Sequence, residues 1–273
     1  MSDNQDIVGM ILAAGEGTRM RPLTLYCPKP LLPFQGVPDL QRIAENLREL
    51  GLLQVGLNAH HLADQLIAWA QQHAPELLLH HEETLLGSGG GVRAMSERLP
   101  AAEHFLYHNG DILTDAPLQA LIDHHRRTQA DATMLLTSGA AADGNVGFER
   151  STGRVVALPG ENGLCEVPSV AAERTSFGGV MIFRRVVIDR LPSDQLAPCI
   201  IRQALTPLLR DGGHIQGVFH DGLFSDLGTH ERWLAGLRSV QAPPFADEYV
   251  AGLPDVITLR GGDDRVRFLP KDP

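Results

Sequence analysis

A glycine-rich segment near the N-terminus combines residue types that bind phosphate groups. It reads Leu-Ala-Ala-Gly-Glu-Gly-Thr-Arg over residues 12–19, and Lys29 follows between two prolines. Glycines let the backbone approach a phosphate closely, and the N–H groups exposed in such a turn form an anion-binding nest. Arg19 and Lys29 add two cationic side chains to the same region. We therefore expect this segment to bind a nucleotide.

The two commonest nucleotide-binding motifs do not fit this segment. The dinucleotide fingerprint GxGxxG requires a third glycine where the chain has Met20, and the P-loop fails because Met20 and Arg21 follow Arg19. Lys29 is one of only two lysines, against 21 arginines, which favours a compact ammonium charge at this position. The flanking prolines are expected to stiffen its loop.

Short apolar runs alternate with helical patterns around the glycine-rich turn. This alternation predicts an open α/β sheet of mostly parallel strands flanked by helices, with the turn at the carboxyl end of the first strand. The predicted strands cover residues 7–13, 53–57, 76–80, 104–107 and 132–136, and the predicted helices cover residues 40–50, 62–73 and 118–127.

Beyond residue 137 the pattern changes to short strands punctuated by Gly and Pro, which is typical of a small antiparallel extension. A helical pattern and a further strand-like run follow, as in the first half of the chain. We expect one domain over residues 1–241, with halves of about 1–137 and 138–241, and a tail over residues 242–273 that contains a possible hairpin. The later predicted strands cover residues 146–149, 153–158, 179–183, 215–219, 256–260 and 265–269, and the later helices cover residues 198–210 and 229–240.

Composition excludes several classes of protein. A formal net charge of -10 opposes a phosphate-backbone surface for DNA or RNA. No apolar run approaches the roughly 20 residues that cross a bilayer, and the N-terminus is polar, so we expect a cytoplasmic protein without membrane contact. The three cysteines lack a CxxC pair and indicate neither a disulfide framework nor a structural zinc site.

The chain resembles the sugar-1-phosphate nucleotidylyltransferases, whose signature reads LAAGxGTRxxPLT followed by PKP. The match over residues 12–24 and 28–30 is nearly complete. It continues at Leu-Gly-Ser-Gly-Gly-Gly (86–91), Asn-Gly-Asp (109–111), Phe-Gly-Gly-Val (177–180) and Ser-Asp-Leu-Gly-Thr (225–229), so it spans roughly residues 7–240. The resemblance implies a Rossmann-like sheet of the nucleotide-diphospho-sugar transferase type, with the antiparallel extension binding the sugar.

The resemblance implies transfer of a nucleoside monophosphate from a nucleoside triphosphate to a sugar 1-phosphate, with release of pyrophosphate. Arg19 would grip the β and γ phosphates, and Lys29 would lie between the α-phosphate and the incoming sugar phosphate. Together with Asp111 these residues form the implied catalytic set. The implied nucleotide-binding residues are Leu12, Ala13, Ala14, Gly15, Glu16, Gly17, Thr18, Arg19, Glu83, Gly87, Ser88 and Gly89.

Magnesium is the implied cofactor, because it binds through carboxylates and phosphate oxygens. In the resembling family, the aspartates that match Asp111 and Asp226 hold this metal between them.

The base and the sugar remain open in the sequence. Glu82 or Glu83 could accept hydrogen bonds from guanine, whereas the glycine run at residues 88–91 equally resembles that of uridylyltransferases, so either GTP or UTP is the expected donor. Small residues in a loop at 87–90 would allow a flat ring to approach closely. The implied sugar-binding residues are Asn109, Gly147 and Gly179.

The chain departs from the family pattern at one position of the sugar site. Many members carry Glu-Lys-Pro after a strand in the second half, whereas this chain has Leu158-Pro159-Gly160. Either an arginine such as Arg174 or Lys29 alone is then expected to hold the sugar phosphate.

Two alternatives to this enzyme are a regulatory homologue that binds a nucleotide sugar without making it and, more remotely, an NAD-dependent oxidoreductase. The oxidoreductase requires the missing third glycine. Assembly is left open between a monomer and a homo-oligomer.

Overall fold

The computed structural model describes residues 4–34, 37–138, 145–160, 172–233, 257–262 and 265–270. Within these residues, strands and helices alternate along the first half of the chain. The strands are β1 (Asn4–Leu12), β2 (Pro33–Phe34), β3 (Val37–Pro38), β4 (Leu52–Ala59), β5 (Leu78–His81), β6 (His104–Asn109), β7 (Ile112–Thr114), β8 (Ala132–Thr137), β9 (Val146–Glu149), β10 (Arg154–Ala157), β11 (Glu173–Arg184), β12 (Ile215–His220), β13 (Phe224–Asp226), β14 (Ile257–Gly262) and β15 (Arg265–Pro270). The α-helices are α1 (Asp39–Glu49), α2 (Ala63–His73), α3 (Gly87–Ser96), α4 (Leu118–Thr128), α5 (Arg185–Asp189) and α6 (Thr206–Arg210).

The main sheet has the strand order β5-β4-β1-β6-β11-β8-β12-β10-β9. From β5 to β12 every strand runs in one direction except β11, which is antiparallel to both β6 and β8. The strands β10 and β9 then extend the sheet with antiparallel pairs, and β9 also pairs with β11. The expected α/β sheet with a small antiparallel extension is therefore confirmed.

Strand β1 lies at the centre of the first half, and both of its faces are buried. Ile7 and Ile11 pack into the hydrophobic cluster on one face of the sheet, whereas Val8 and Met10 pack into the cluster on the other. Successive side chains of a strand point to opposite faces, so a continuous apolar run is what a strand covered on both sides requires. The helices that supply this cover leave the carboxyl end of β1 open for the glycine-rich turn.

Most of the predicted elements lie within one or two residues of their observed bounds. Two elements differ more from the prediction. Strand β11 runs from Glu173 to Arg184, where the sequence predicts only residues 179–183. Helix α3 is predicted as a loop, because four of its first five residues are glycines. Glycine weakens an isolated helix by about 1 kcal/mol relative to alanine, so here packing and not propensity forms the helix.

In the second half, the helix predicted over residues 198–210 is divided into a π-helix, Ile200–Leu205, and α6. The predicted hairpin in the tail is the antiparallel pair of β14 and β15. Residues 229–233 of the last predicted helix lie within the described residues, and 230–233 are helical whereas Thr229 lies in a bend. Among the helices described, none is long and apolar enough to cross a membrane.

Candidate active site

Three strands end side by side at the position where the glycine-rich turn begins. Leu12, the last residue of β1, is paired with Asn58 of β4 on one side and with Asn109 of β6 on the other. The chain crosses from one side of β1 to the other here, and in open α/β sheets ligands bind in the crevice outside such a switch point. A cleft of about 300 Å³ lies there, lined by Leu12, Ala13, Gly15, Gly17, Thr18, Arg19, Lys29, Pro30, Asn109, Gly110 and Asp111.

The turn is shaped by Gly17 and anchored by the apolar residues that follow it. Gly17 has a φ of 60°, in the left-handed region, and its carbonyl accepts hydrogen bonds from the Met20 N–H at 2.8 Å and the Thr24 hydroxyl at 2.9 Å. Met20 and Leu23 are fully buried in the core. The turn is thus held from below, while Gly15 and Thr18 remain exposed at the cleft.

Lys29 reaches the floor of this cleft and forms an ion pair with Asp111. It begins a short 3₁₀ helix, Lys29–Leu31, whose last two residues are buried. The side chain of Lys29 is only 10% exposed, whereas that of Asp111 is 30% exposed. A nearly buried ammonium beside a cleft is an electrostatic site for an anion, because little solvent screens its charge.

Asp111 and Asp226 are brought together by a second, two-stranded sheet. Asp111 lies in the turn between β6 and β7, and in the antiparallel pair of β7 with β13 Asp226 stands opposite Ile112. The Leu227 N–H also donates to the Asp111 carbonyl at 3.1 Å. The carboxylate of Asp226 accepts a hydrogen bond from the guanidinium of Arg232, which the sequence analysis did not identify.

Arg19 approaches the same loop from the glycine-rich turn. A Cβ atom placed on Gly228 would lie 3.1 Å from the Nη2 atom of Arg19, so the absence of a side chain at Gly228 leaves room for the guanidinium. The structure therefore brings together Arg19, Lys29, Asp111 and the loop after Asp226, although these lie far apart in the sequence.

The glycines at the start of α3 have a packing role. A Cβ atom on Gly87 would lie 3.0 Å from the Ala197 carbonyl oxygen, and one on Gly89 would lie 2.6 Å from Leu191 Cδ2. The Ser88 hydroxyl accepts a hydrogen bond from the Ile200 N–H at 3.1 Å. The predicted loop over residues 87–90 is instead the first turn of a helix, and its small residues let the segment at 197–200 pack closely against it.

The two glutamates before α3 have different environments. Glu83 is exposed, and it does not line the cleft described above. Glu82 is buried, and both of its carboxylate oxygens accept hydrogen bonds from the protein itself. Glu82 is thus engaged within the fold, which leaves Glu83 as the exposed carboxylate of the pair.

The predicted sugar-binding residues are only partly brought to the cleft. Asn109 lines it, and its side-chain oxygen accepts a hydrogen bond from the Tyr107 hydroxyl at 2.6 Å. Gly179 has a φ of 72°, and a Cβ atom there would lie 2.5 Å from Ile112, so this glycine is required by packing. Gly147 lies on β9 opposite Arg174 of β11, and neither lines the cleft.

The segment Leu158-Pro159-Gly160 is partly buried. Leu158 is buried in the hydrophobic core, and the carbonyl oxygen of Pro159 accepts a hydrogen bond from the Thr206 hydroxyl at 3.0 Å. Leu158 and Pro159 of this segment therefore make structural contacts.

Burial shifts the pKa values of Asp39 and His108, which lie near the cleft. Burial raises the pKa of Asp39 to about 7, the Asp111 charge adds to this rise, and Arg42 and Lys29 oppose it. Burial also lowers the pKa of His108 to about 4, so its ring is neutral at physiological pH, with Nδ1 donating to the Asn109 carbonyl oxygen at 2.7 Å. His108 therefore supports the backbone at Asn109 as a neutral donor.

The donor set at this site suits a hard cation. Among the described residues, no group of three or more His, Cys, Asp or Glu side chains is placed to hold a metal. Asp111, in the turn before β7, and Asp226, on the paired strand β13, nevertheless supply two carboxylates. Mg²⁺ commonly takes one or two protein carboxylates together with phosphate oxygens and water. The residues present fit such an ion once phosphate groups complete its ligands.

The family of the chain follows from a match over most of its length. Residues 9–240 match the family model of the MobA-like NTP transferase domain. The chain belongs to the MobA-like NTP transferase family. This membership agrees with the fold and with the position of the glycine-rich turn.

Two curated relatives of this chain are named mannose-1-phosphate guanyl- or guanylyltransferases. The chain is 31% identical over 239 residues to a mannose-1-phosphate guanylyltransferase of Mycobacterium tuberculosis, covering 83% of this chain and 62% of that protein. This chain is 28% identical over 235 residues to mannose-1-phosphate guanyltransferase beta-B of Xenopus laevis, and the match covers 84% of this chain and 63% of that protein. The chain thus spans less than two thirds of the length of these relatives.

Solved structures share the fold of this chain. HddC from Yersinia pseudotuberculosis, crystallised in complex with GMP-PN, has a TM-score of 0.67 at 20% identity, covering 86% of this chain and 99% of that one. A Bacillus anthracis protein in complex with a sucrose has a TM-score of 0.71 at 14% identity, and the match covers 89% of this chain and 99% of that one. The nucleotide-diphospho-sugar transferase fold is thereby established.

The turn itself generates a prediction about stability. In Gly17→Ala, the new Cβ would lie 2.8 Å from Thr24 Cγ2 in a left-handed backbone, so we expect a loss of about 1–3 kcal/mol in the free energy of unfolding. Gly15→Ala is the matched control, because nothing lies within 4 Å of the new atom. Urea unfolding of both variants measures the difference, and equal stabilities would contradict the assigned role of Gly17.

Proposed function

We propose that this NTP transferase transfers a nucleoside monophosphate from a nucleoside triphosphate to a sugar 1-phosphate, releasing pyrophosphate. The observation that carries the proposal is the nearly buried Lys29, paired with Asp111 in a cleft that also contains the glycine-rich turn. Backbone N–H groups and cations concentrated in one cleft suit a polyanion. The names of the curated relatives support the same reaction.

The triphosphate binds along the exposed backbone of the turn at residues 15–18. Arg19 contacts the β and γ phosphates, which leave as pyrophosphate. Lys29 exchanges Asp111 for the α-phosphate, because a phosphate ligand competes with one carboxylate for the same ammonium group. Catalysis then consists of positioning two polyanions and neutralising the charge that accumulates between them.

The bond changes are those of an in-line displacement. An oxygen of the sugar 1-phosphate attacks the α-phosphorus, a new phosphorus–oxygen bond forms, and the bond between the α-phosphorus and the bridging oxygen breaks. Lys29 lies where the charge of both phosphates converges, and it also serves as the cation for the sugar phosphate, since the segment at residues 158–160 carries no cation. Asn109 lines the cleft, and its amide side chain is suited to hydrogen-bond the hydroxyl groups of the sugar.

Asp111 and Asp226 are the residues that would hold Mg²⁺ in this proposal. When bound, the ion would neutralise phosphate charge and orient the reacting groups. The protein's own part is to release two ion pairs, because in the structure Asp111 is paired with Lys29 and Asp226 with Arg232. Both cations then become available to phosphate oxygens.

GTP is the proposed nucleotide, and mannose 1-phosphate is the first acceptor to test. The relatives at 28–31% identity are named mannose-1-phosphate guanyl- or guanylyltransferases, and a protein of the same fold was crystallised with GMP-PN. The exposed Glu83 is the proposed acceptor for the donor groups of guanine.

Pyrophosphate release tests the reaction. The five common triphosphates (GTP, UTP, CTP, dTTP and ATP) are combined with mannose, glucose, heptose and N-acetylmuramate 1-phosphates, with and without Mg²⁺. We expect release with GTP and mannose 1-phosphate, and only with the metal. Pyrophosphate release with UTP alone would show that the enzyme uses uridine and not guanosine nucleotides. Binding of a nucleotide sugar without pyrophosphate release in any combination would favour the regulatory homologue.

Lys29→Ala is expected to lower kcat by about 100- to 1,000-fold with little change in the KM for the triphosphate, because the lost charge acts mainly on the transition state. Arg21→Ala is the matched control, since Arg21 lies in the same segment, pairs with Glu16 at the surface and does not line the cleft. Steady-state kinetics measure both variants. An unchanged kcat for Lys29→Ala would remove this residue from the mechanism.

Asp111→Asn and Asp226→Asn are each expected to raise the half-saturating Mg²⁺ concentration by at least about tenfold, because each removes one carboxylate ligand. Asp123→Asn on the exposed face of α4 serves as the control. Activity as a function of Mg²⁺, together with Mn²⁺ binding followed by electron paramagnetic resonance, measures the effect. Wild-type metal dependence in both variants would show the ligand assignment to be wrong.

A further inference from the structure

A chain of three hydrogen bonds runs beneath the cleft from the glycine-rich turn to helix α3. The Ala13 N–H donates to Asn58 Oδ1 at 2.6 Å, and Asn58 Nδ2 donates to Glu82 Oε1 at 2.7 Å. The second carboxylate oxygen, Glu82 Oε2, accepts from the Leu86 N–H at 2.9 Å. The chain connects the ends of β1, β4 and β5 with the residue that precedes α3.

The middle of this chain is closed off from solvent. Asn58 and Glu82 are each only 2% exposed. A Cβ atom on Gly91 would lie 2.8 Å from both Asn58 Nδ2 and Glu82 Oε1, so the helix above them can pack only with a glycine there. Polar groups buried in this way are costly unless they are hydrogen-bonded, and here both are.

The order of donors and acceptors fixes the orientation of the Asn58 amide. An ionised carboxylate only accepts, so Glu82 can satisfy the Leu86 N–H and the Asn58 Nδ2 group at once. With Nδ2 directed at Glu82, the Asn58 oxygen must face the Ala13 N–H. One acidic side chain therefore determines which atom is presented to the backbone two strands away.

Ala13 is the residue at which this orientation matters. Strand β1 ends at Leu12, whose carbonyl oxygen accepts from the Gly110 N–H at 2.8 Å on the β6 side. On the β4 side, the Asn58 side chain takes over from the backbone ladder at the next residue. Both partners hold the chain where it leaves the sheet, two residues before Gly15.

We propose that Asn58 and Glu82 are positioning residues that hold the start of the phosphate-binding turn in register with helix α3. The inference deepens the proposed function and rests on it, because the positioned turn is the one that would bind the triphosphate. Glu82 acts through Asn58 and the backbone and does not contact the nucleotide base.

Glu82→Gln tests this arrangement at almost constant shape. The substituted amide offers one acceptor and one donor group to two donors, so either the Leu86 N–H or the Asn58 amide faces a donor. Flipping Asn58 only moves the mismatch to Ala13. We expect a roughly tenfold rise in the KM for the triphosphate, with a smaller change in kcat, and faster hydrogen–deuterium exchange in the peptide that carries Ala13.

The double variant Asn58→Asp with Glu82→Gln provides the rescue. The new carboxylate at position 58 would accept from the Ala13 N–H and from the new amide at position 82. The oxygen of that amide would accept from the Leu86 N–H, so all three hydrogen bonds are restored with the charge moved from one side chain to the other. Asn58→Asp alone places two carboxylates in contact and is expected to be the least stable variant. Recovery of slow exchange and of KM in the double variant is the expected result.

Controls separate the possible failures. Glu76→Gln, at an exposed position just before β5, is expected to match wild type in every measurement. A lower melting temperature in Glu82→Gln with unchanged KM and unchanged exchange at Ala13 would reduce the pair to general structural support and overturn the inference. An altered ratio of GTP to UTP use, without rescue in the double variant, would overturn it in favour of direct base contact.

The exchange measurement also separates this inference from the proposed function. If wild type releases no pyrophosphate with any substrate pair, the proposed function fails, and the exchange pattern of the three variants still decides whether the hydrogen-bond chain positions Ala13. If wild type is active and Glu82→Gln is indistinguishable from it, the positioning role alone fails.

Discussion

The cleft is organised around one nearly buried ammonium group. Lys29 carries a positive charge that little solvent screens, and a charge in that position requires a partner of opposite sign. In the structure Asp111 is that partner, and β6 and β7 hold it in the turn between them. A phosphate ligand has to replace this carboxylate. Without a ligand, the ion pair holds Lys29 in place, and only an anionic ligand can compete with Asp111 for its ammonium group.

This requirement explains why distant parts of the chain meet at the cleft. The glycine-rich turn must expose its N–H groups beside Lys29, and this depends on Gly17, whose Cβ position would lie 3.3 Å from the Lys29 Cβ. The loop after Asp226 must lie beside Asp111, and the pairing of β7 with β13 places it there. An acidic protein thereby concentrates positive charge at one cleft, where backbone N–H groups add to the attraction for a polyanion.

The sequence was informative where local chemistry decides the structure. Continuous apolar runs located β1, β4, β6 and β8 because strands buried on both faces need them, and the spacing of glycines located the turn. Helix α3 was missed because four glycines oppose it locally, and only the close packing of residues 197–200 explains it. The partners of Asp226 and Glu82 were missed because Arg232 and Asn58 carry no signal of their own. Their roles depend on which strand ends become neighbours, and this is a property of the assembled sheet.

The position of β11 affects how the chain can be divided. This strand comes from residues 173–184, yet it lies between β6 and β8, which are both complete by residue 137. A fragment ending near residue 137 would lack the strand that joins its last two strands, leaving their backbone edges unpaired. The gap between β6 and β8 is filled only by a strand that comes more than 35 residues later in the chain. Cutting the gene between the two halves would therefore separate β11 from both strands with which it pairs in the middle of the sheet.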